Sequence, residues 1–321
     1  MEPWKPRGAM SKPADTVICI ATFRRPRGLS RCLEALAQVK TDRVSRIIVA
    51  DNDAAGRTGL AACETFQEAG SPFVLTVLVV AERGISQARN ALVAEALKDP
   101  HTKFIAMIDD DEWPQAGWIE SLLTAQDRTD ADVVGGPVER VFAAPVPAYL
   151  KSANLADFSR MRTGPVDFVD GTSNVLIRAD LFRRRSAPWF DLAFGLLGGE
   201  DTDFFLGMKL QGARFAWSTA AVVNEEMPES RSSTLWMLKR AYRIGNTYGL
   251  VNRKHRPPGF GMFREVVKIA GTMAVVTMSL VFLFWHPVRR FEAARLAARV
   301  LGKLAGLIGY RHVEYQDVHG G

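Results

Sequence analysis

Cysteine is scarce in this chain of 321 residues. The three that occur, Cys19, Cys32 and Cys63, form no CxxC or zinc-like pair. This argues against a disulfide scaffold and a thiolate metal centre, and reads as free thiols in a reducing compartment. The leading stretch MEPWKPRGAMSKPAD has no apolar run, so no secretory signal is expected and residues 1–14 read as a flexible tail. Neither an internal repeat nor a low-complexity tract is present. Acids are missing altogether between Arg231 and Pro258, where seven Lys or Arg stand, in a chain of net charge +6. A basic segment of this kind can meet nucleic acid, a phosphate-bearing ligand or an anionic membrane surface. Trp236, Tyr242 and Tyr248 lie within it, yet no recognised nucleic-acid motif does, so nucleic acid is not an expected partner.

What is present is material for a core. Hydrophobic residues make up 47% and charged residues 24%, a folded rather than disordered composition. The length suits one large domain, alone or with an appendage. From residue 16 to about residue 140 the pattern alternates. The apolar runs TVICIAT, RIIVAD, FVLTVLVV, KFIAMID and ADVVGG read as strands, and GLSRCLEALAQV, TGLAACETFQEA, ISQARNALVAEALK and GWIESLLTAQ as helices. Strands apolar throughout, alternating with helices, predict a doubly wound, mostly parallel α/β sheet covered on both faces. Such sheets bind ligands beyond the carboxyl ends of their strands. Polar groups gather there: Thr22 to Arg25, Asp51 to Asp53, Glu82-Arg83 and Asp109 to Glu112.

Beyond residue 165 the regularity weakens. DFVDGTSNVLIR reads as a strand broken by a glycine turn. Gly198 and Gly199 precede a helix expected from about Glu200, with Glu200, Asp201 and Asp203 in its first turn. The helix dipole alone favours acids there, so capping is the plain reading.

The segment KFIAMIDDDEWP carries four consecutive acids at the end of an apolar run. Hard divalent cations prefer carboxylate oxygens, and the spacing Asp109-x-Asp111 allows two of them to share one ion with a phosphate. A lone DxD triplet is weak evidence; its position after a buried strand and before Trp113-Pro114, which reads as a helix start, strengthens it.

Together ATFRRP, VADND, ERGISQARN, IDDDEWP and GGED make a more specific pattern. Over about residues 14–250 the chain resembles a family 2 glycosyltransferase of the GT-A fold, nearest to the bacterial exopolysaccharide and succinoglycan type. The resemblance implies a Rossmann-like, mostly parallel sheet flanked by helices in residues 15–250. It implies a metal-dependent, inverting transfer from a nucleotide sugar, UDP-glucose or similar, with Mg²⁺ or Mn²⁺ as cofactor. Carried over residue by residue, Thr22 and Arg24 line the nucleotide pocket, Asp51 and Asp53 recognise the base or ribose, and Arg89 lies near the nucleotide. Asp109 faces the sugar nucleotide and Asp111 the metal, with Asp110 on the donor side and Glu112 supporting. Gly171, Thr172 and Asn174 line the sugar side. Asp201 is the general base with Glu200 beside it. Glu225 or Glu226 stands where many relatives have a histidine as third metal ligand. Arg240 and Arg243 approach the diphosphate.

The C-terminal region, residues 251–321, is expected to form membrane-associated helices. Residues 269–285 are seventeen without a charge, flanked by Arg264, Lys268, Arg289 and Arg290. About 20 apolar residues span a bilayer, so this run is borderline between a single pass and an interfacial helix. PVRRFEAARLAARVLGKLAGLIGYR then reads as an amphipathic helix. The expected setting is the cytoplasmic face of the plasma membrane, peripheral or single-pass, with a lipid-linked or saccharide acceptor. Two other readings stand beside this one. A sugar-phosphate nucleotidyltransferase would want a glycine-rich loop after the first strand, where ATFRRPRGLS has one glycine. A non-catalytic partner with a degenerate sugar-nucleotide domain would not need the intact DDD and GGED.

Overall fold

The computed structural model describes residues 14–154, 161–255, 260–283 and 285–311. All but the last residue of the expected N-terminal tail, and residues 312–321 of the C-terminal segment, lie outside the described residues.

The first half alternates as its pattern predicts: β1 (Thr16–Thr22), α1 (Pro26–Ala37), β2 (Val44–Asp51), α2 (Thr58–Glu68), β3 (Val74–Val79), α3 (Ile85–Ala96) and β4 (Phe104–Asp109). The four strands lie in the order β3-β2-β1-β4 and are all parallel. Successive side chains of a strand leave to opposite faces. Ile18 and Ile20 therefore enter a core with Leu29, Leu33 and Leu36 of α1. Val17 and Cys19 enter a second core with Leu92 and Val93 of α3. Burial on both faces accounts for the unbroken apolar runs. β3 departs from this expectation: it is the sheet edge, and Val74 and Val79 are exposed. The pairing register places Thr22 opposite Asp51 and Ala21 opposite Asp109, so the polar strand ends form one rim.

Beyond β4 come β5 (Glu112–Pro114), α4 (Trp118–Thr129), β6 (Val133–Gly135), β7 (Val138–Phe142), α5 (Ala148–Asn154), β8 (Gly164–Val166), β9 (Val175–Arg178), α6 (Asp180–Arg183), α7 (Glu200–Leu210), β10 (Phe215–Trp217) and β11 (Val223–Met227). The main sheet continues from β4 as β9-β6-β10-β8. β9 runs antiparallel between β4 and β6, which makes the sheet mixed on this side. Trp113-Pro114, expected to start a helix, instead belongs to β5, which pairs with β11 in a small second sheet. Pro114 ends this strand, a position where its missing N–H costs little. Helix α4 begins four residues later, at the fully buried Trp118.

Three long helices close the chain: α8 (Thr234–His255), α9 (Phe260–Phe282) and α10 (Pro287–Leu307). The expected boundary at residue 250 falls inside α8. Helices α8 and α10 meet backbone to backbone through glycine. A Cβ on Gly302 would lie 1.8 Å from the Tyr242 carbonyl oxygen, and one on Gly245 would lie 1.9 Å from that of Arg299. Gly249 and Gly306 meet the facing helix as closely. Helix α9 is tied to α10 by Glu265, which lies between Lys268, at 3.2 Å, and Lys303. The uncharged run does not remain helical to its end, because α9 stops at Phe282. Its uncharged helical part, residues 269–282, is about 21 Å long at 1.5 Å per residue, short of the ~30 Å of a bilayer core. Among the described residues no helix is long and apolar enough to cross a membrane, which corrects the single-pass alternative.

Candidate active site

The rim of β1 and β4 opens into a cleft of ≈ 250 Å³. Its walls carry Asp109, Asp110 and Asp111 facing a set of arginines: Arg25, Arg83, Arg89, Arg231, Arg240 and Arg243. Acids and bases come from different parts of the fold. The acids follow β4, Arg25 precedes α1, Arg89 is on α3, and Arg231 lies in a 3₁₀ turn leading into α8, which carries Arg240 and Arg243.

The four acids differ in their surroundings. Asp110 is buried, accepts a hydrogen bond from Thr22 Oγ1 at 2.8 Å and pairs with Arg25 at 3.1 Å. Burial pushes its pKa up to about 7 against the pull of Arg25. Glu112 is also buried; its Oε2 accepts the backbone N–H of Asp109. Burial first, then the charge of Asp109, pushes Glu112 well above the carboxylate range. These two acids are built into the wall. Asp109 and Asp111 are the more accessible pair, with 40% and 19% of their side chains exposed. Asp109 meets Arg89 at 3.4 Å, and Asp111 meets both Arg25 and Arg231.

Asp201 begins the first turn of α7, and its placement depends on glycine. Gly199 has φ +91°, and a Cβ there would overlap Thr247 of α8. Only glycine combines that backbone with that contact. Asp201 Oδ1 accepts the N–H of Thr202 at 2.6 Å, and its other oxygen has no hydrogen bond among the described residues. Burial, opposed by Arg89, raises the Asp201 pKa. Glu200, grouped with the base in the sequence reading, is different. It is 3% exposed and its Oε1 pairs with Arg89. Arg89 therefore joins Glu200 to Asp109 across the cleft, as a strut between α7 and the acid cluster.

Several expected ligand-facing residues are committed to the protein. Asp51 is fully buried, and its two oxygens accept the N–H groups of Asp53 and Leu60. Asp53 is buried and holds Arg24 Nε at 3.1 Å. Neither acid faces the cleft. Asn52 between them does, yet its side chain holds the β3–α3 loop through Val80, Glu82 and Gly84. Asn174 is likewise interior: it accepts from Trp118 Nε1 at 2.6 Å and donates to the carbonyls of Pro137 and Ala221. Gly171 lies outside the cleft lining, and Thr172 is buried beside it. Glu225 does line the cleft, with Arg140 at 3.0 Å, and Glu226 pairs with Arg31. Arg240 is drawn down to about 10, by burial first and then by the like charges of Arg140, Arg243 and Arg231. That crowding of cations favours an anionic ligand.

Four residues of this cleft lay outside the sequence-level assignment. Arg25 and Arg231 hold the acids, and the Phe23 ring is flanked by Arg24 and Arg83, whose guanidinium carbons lie 5.0 and 4.9 Å from its centroid. Arg25 and Phe23 adjoin residues that were assigned; Arg231 stood in the acid-free segment, a signal of sign without address.

The donor set suits a hard divalent cation, because the carboxylates of Asp109, Asp111 and Glu225 line one cleft. Among the described residues no three such side chains form a ready-made cage. Mg²⁺ commonly binds through one or two carboxylates and completes its shell with substrate phosphate and water. The residues fit a cation that shares its shell with a diphosphate.

A mostly parallel sheet whose strand-end acids face a cluster of arginines across one cleft is the arrangement of a GT-A type of transferase fold. The glycosyl transferase family 2 model matches residues 17–185. The chain is 32% identical over 310 residues to the succinoglycan biosynthesis protein ExoM of Rhizobium meliloti (strain 1021), covering 92% of this chain and 94% of that one. Its fold matches the mannosyltransferase PcManGT from Pyrobaculum calidifontis in complex with GDP-Man and Mn²⁺, with TM-score 0.59 at 15% identity over 94% of this chain and 90% of that one. It also matches S. aureus TarS 1-349 in complex with UDP, with TM-score 0.53 at 13% identity over 95% of each chain. The chain belongs to glycosyl transferase family 2 and is a glycosyltransferase.

Proposed function

We propose that the protein transfers a sugar from a nucleotide-sugar donor to a saccharide or lipid-linked saccharide in bacterial polysaccharide synthesis, by a single, inverting displacement. The observation that carries this reading is the cleft itself, where a carboxylate pair and an arginine cluster face each other; Asp201, with its uncommitted oxygen, lies outside the lining but near enough for its charge to act on Asp109. The polysaccharide setting rests on the likeness to ExoM, and UDP-glucose is the expected donor.

In this reading Arg240, Arg243 and Arg231 bind the donor diphosphate, and Thr22 and Arg25 hold Asp110 and the wall around it. Asp109 and Asp111 would hold Mg²⁺ or Mn²⁺, and Glu225, which lines the same cleft and pairs with Arg140, is the candidate for a third carboxylate. When bound, the cation neutralises charge on the departing diphosphate. Asp201 takes the proton of the attacking acceptor hydroxyl on its uncommitted oxygen. Arg89 and Glu200 keep α7 at the right distance from the acids. Attack from the face opposite the leaving group inverts the anomeric centre.

The exposed apolar side chains of α9 and the turn after it support peripheral attachment to a membrane surface, and the cytoplasmic face is the expected side. Val275, Met278, Val281, Phe282 and Trp285 are each more than half exposed, with Arg289 and Arg290 next along the chain. Apolar side chains bordered by cations suit an anionic bilayer surface.

The deciding experiment incubates the protein with a panel of UDP- and GDP-sugars and membrane lipid extract, with Mn²⁺, Mg²⁺ or EDTA. Metal-dependent nucleotide release and sugar transfer are expected. Silence with every donor, or full activity of Asp201→Asn, overturns the reading.

A further inference from the structure

One oxygen of Asp111 has two cationic partners. Arg231 Nη1 lies 3.1 Å from Asp111 Oδ2, and Arg25 Nη1 lies 2.9 Å from the same atom. Both arginines are largely shielded from water, with 13% and 20% of their side chains exposed. A divalent cation on that oxygen would face two guanidinium charges at close range, so the arginines occupy the electrostatic place of the cation. The two are not equivalent. Arg25 also pairs with Asp110 at 3.1 Å, and Asp110 is fixed by Thr22. Arg25 can release Asp111 and keep a carboxylate partner. Arg231 is placed otherwise: it sits in the 3₁₀ turn Glu229–Arg231 at the entrance to α8 and lines the cleft with Arg240 and Arg243.

We propose that Arg231 is an exchange residue: it holds Asp111 when the cleft is empty and moves to the donor's diphosphate when a nucleotide binds, releasing Asp111 to the cation. This rests on the reading of the cleft as a diphosphate and cation site, and adds to it a coupling between the two ligands. A diphosphate brings negative charge to the side of the cleft where Arg231, Arg240 and Arg243 stand, so the exchange trades one ion pair of Arg231 for another. Nucleotide and cation then bind with positive cooperativity, and linkage makes the effect reciprocal.

The test measures Mn²⁺ binding directly, by the loss of the free-ion EPR signal, with and without saturating UDP or GDP. In the wild type the nucleotide is expected to tighten Mn²⁺ by about 5- to 150-fold, the usual span of such couplings. Arg231→Gln is expected to bind Mn²⁺ more tightly than the wild type when no nucleotide is present, to bind nucleotide more weakly in EDTA, and to show a smaller coupling than the wild type, keeping only the part due to the shell that cation and diphosphate share. Asp111→Asn is expected to lose the tight Mn²⁺ site, with far-UV circular dichroism confirming that both variants fold. Three results overturn the exchange: a wild type that binds Mn²⁺ and nucleotide independently, an Arg231→Gln with undiminished coupling, or an Arg231→Gln with weaker Mn²⁺ binding in the absence of nucleotide. A wild type that binds neither Mn²⁺ nor either nucleotide overturns the cleft reading itself, and the exchange with it.

Discussion

The charged cleft and the C-terminal helical layer are organised on opposite principles. The cleft is rich in charge that the fold leaves under tension: buried acids with raised pKa values, and arginines crowded against one another. The layer of α8, α9 and α10 is held largely by shape, with four glycines interlocked and one ion-paired glutamate between helices. Charge under tension serves binding, because a ligand of the right sign relieves it. Close contact serves placement. Helix α8 belongs to both regions, since its first half lines the cleft, Thr247 abuts the Gly199 turn before Asp201, and its glycines seat α10.

The largest effect should come from the cleft. Asp201→Asn keeps shape and removes the base, and is expected to lower kcat by about 10²–10⁴, with nucleotide affinity within about threefold. Turnover assays paired with calorimetry check this; a loss of binding equal to the loss of rate would assign Asp201 to the donor site instead. In the wild type, burial places the Asp201 pKa above its ordinary value of 3.8. The ionised form is the active one, so the rate should rise with pH through a point above that value. The acid limb of the rate profile reads it, and should vanish in the variant.

Next in size is a test of shape. Gly302→Leu puts a side chain where the Tyr242 carbonyl already lies. Overpacking of this kind costs about 1–3 kcal/mol, and thermal melting and proteolysis of α10 should report it. Gly271 is the internal control, because a Cβ there meets nothing within 4 Å. Gly271→Ala should be neutral or stabilising by up to about 1 kcal/mol. Equal destabilisation by both would mean that α8 and α10 do not interlock.

These two regions were unequally legible in the sequence. The parallel half of the sheet was readable because two-sided burial writes itself as apolar runs. The acids at Asp109 to Glu112 stood out because like charges rarely cluster on a buried strand. What could not be read was partnership. Asp51 and Asn174 have the residue types of ligand contacts, but their polar atoms are spent on Leu60, Trp118 and nearby backbone, which only tertiary contacts decide. Arg231 meets Asp111 across 120 positions of chain, a separation no local pattern spans. Pro114 looked like a helix start because a proline is welcome both there and at the end of a short strand. The glycines of α8 and α10 gain meaning only when the two helices are seen together, each against the other's backbone.

A smaller effect concerns the exposed apolar face of α9. Replacing Val281 and Phe282 together by Asp should reduce flotation with anionic vesicles several-fold, since each buried apolar side chain contributes about 1.5–3 kcal/mol at most, while soluble-substrate turnover stays within about twofold. Unchanged flotation would place the contact on α10 or on no lipid at all.

The smallest effect should come from the charged tie that Glu265 makes between α9 and α10. Burial opposes ionisation of Glu265, but Lys303 and Lys268 outweigh it and bring its pKa down to about 2. Its unfolded value lies near 4.5. A depressed carboxylate stabilises the folded form above the unfolded pKa, and the contribution fades as pH falls from about 4.5 toward about 2. Glu265→Gln should therefore melt slightly below the wild type at neutral pH and converge on it toward pH 2–3. The clamp joins α9 to α10, so the difference should appear in proteolysis of α9 before it appears in the melting of the sheet. A constant gap between the two proteins across that window would show that Glu265 acts by packing rather than by charge.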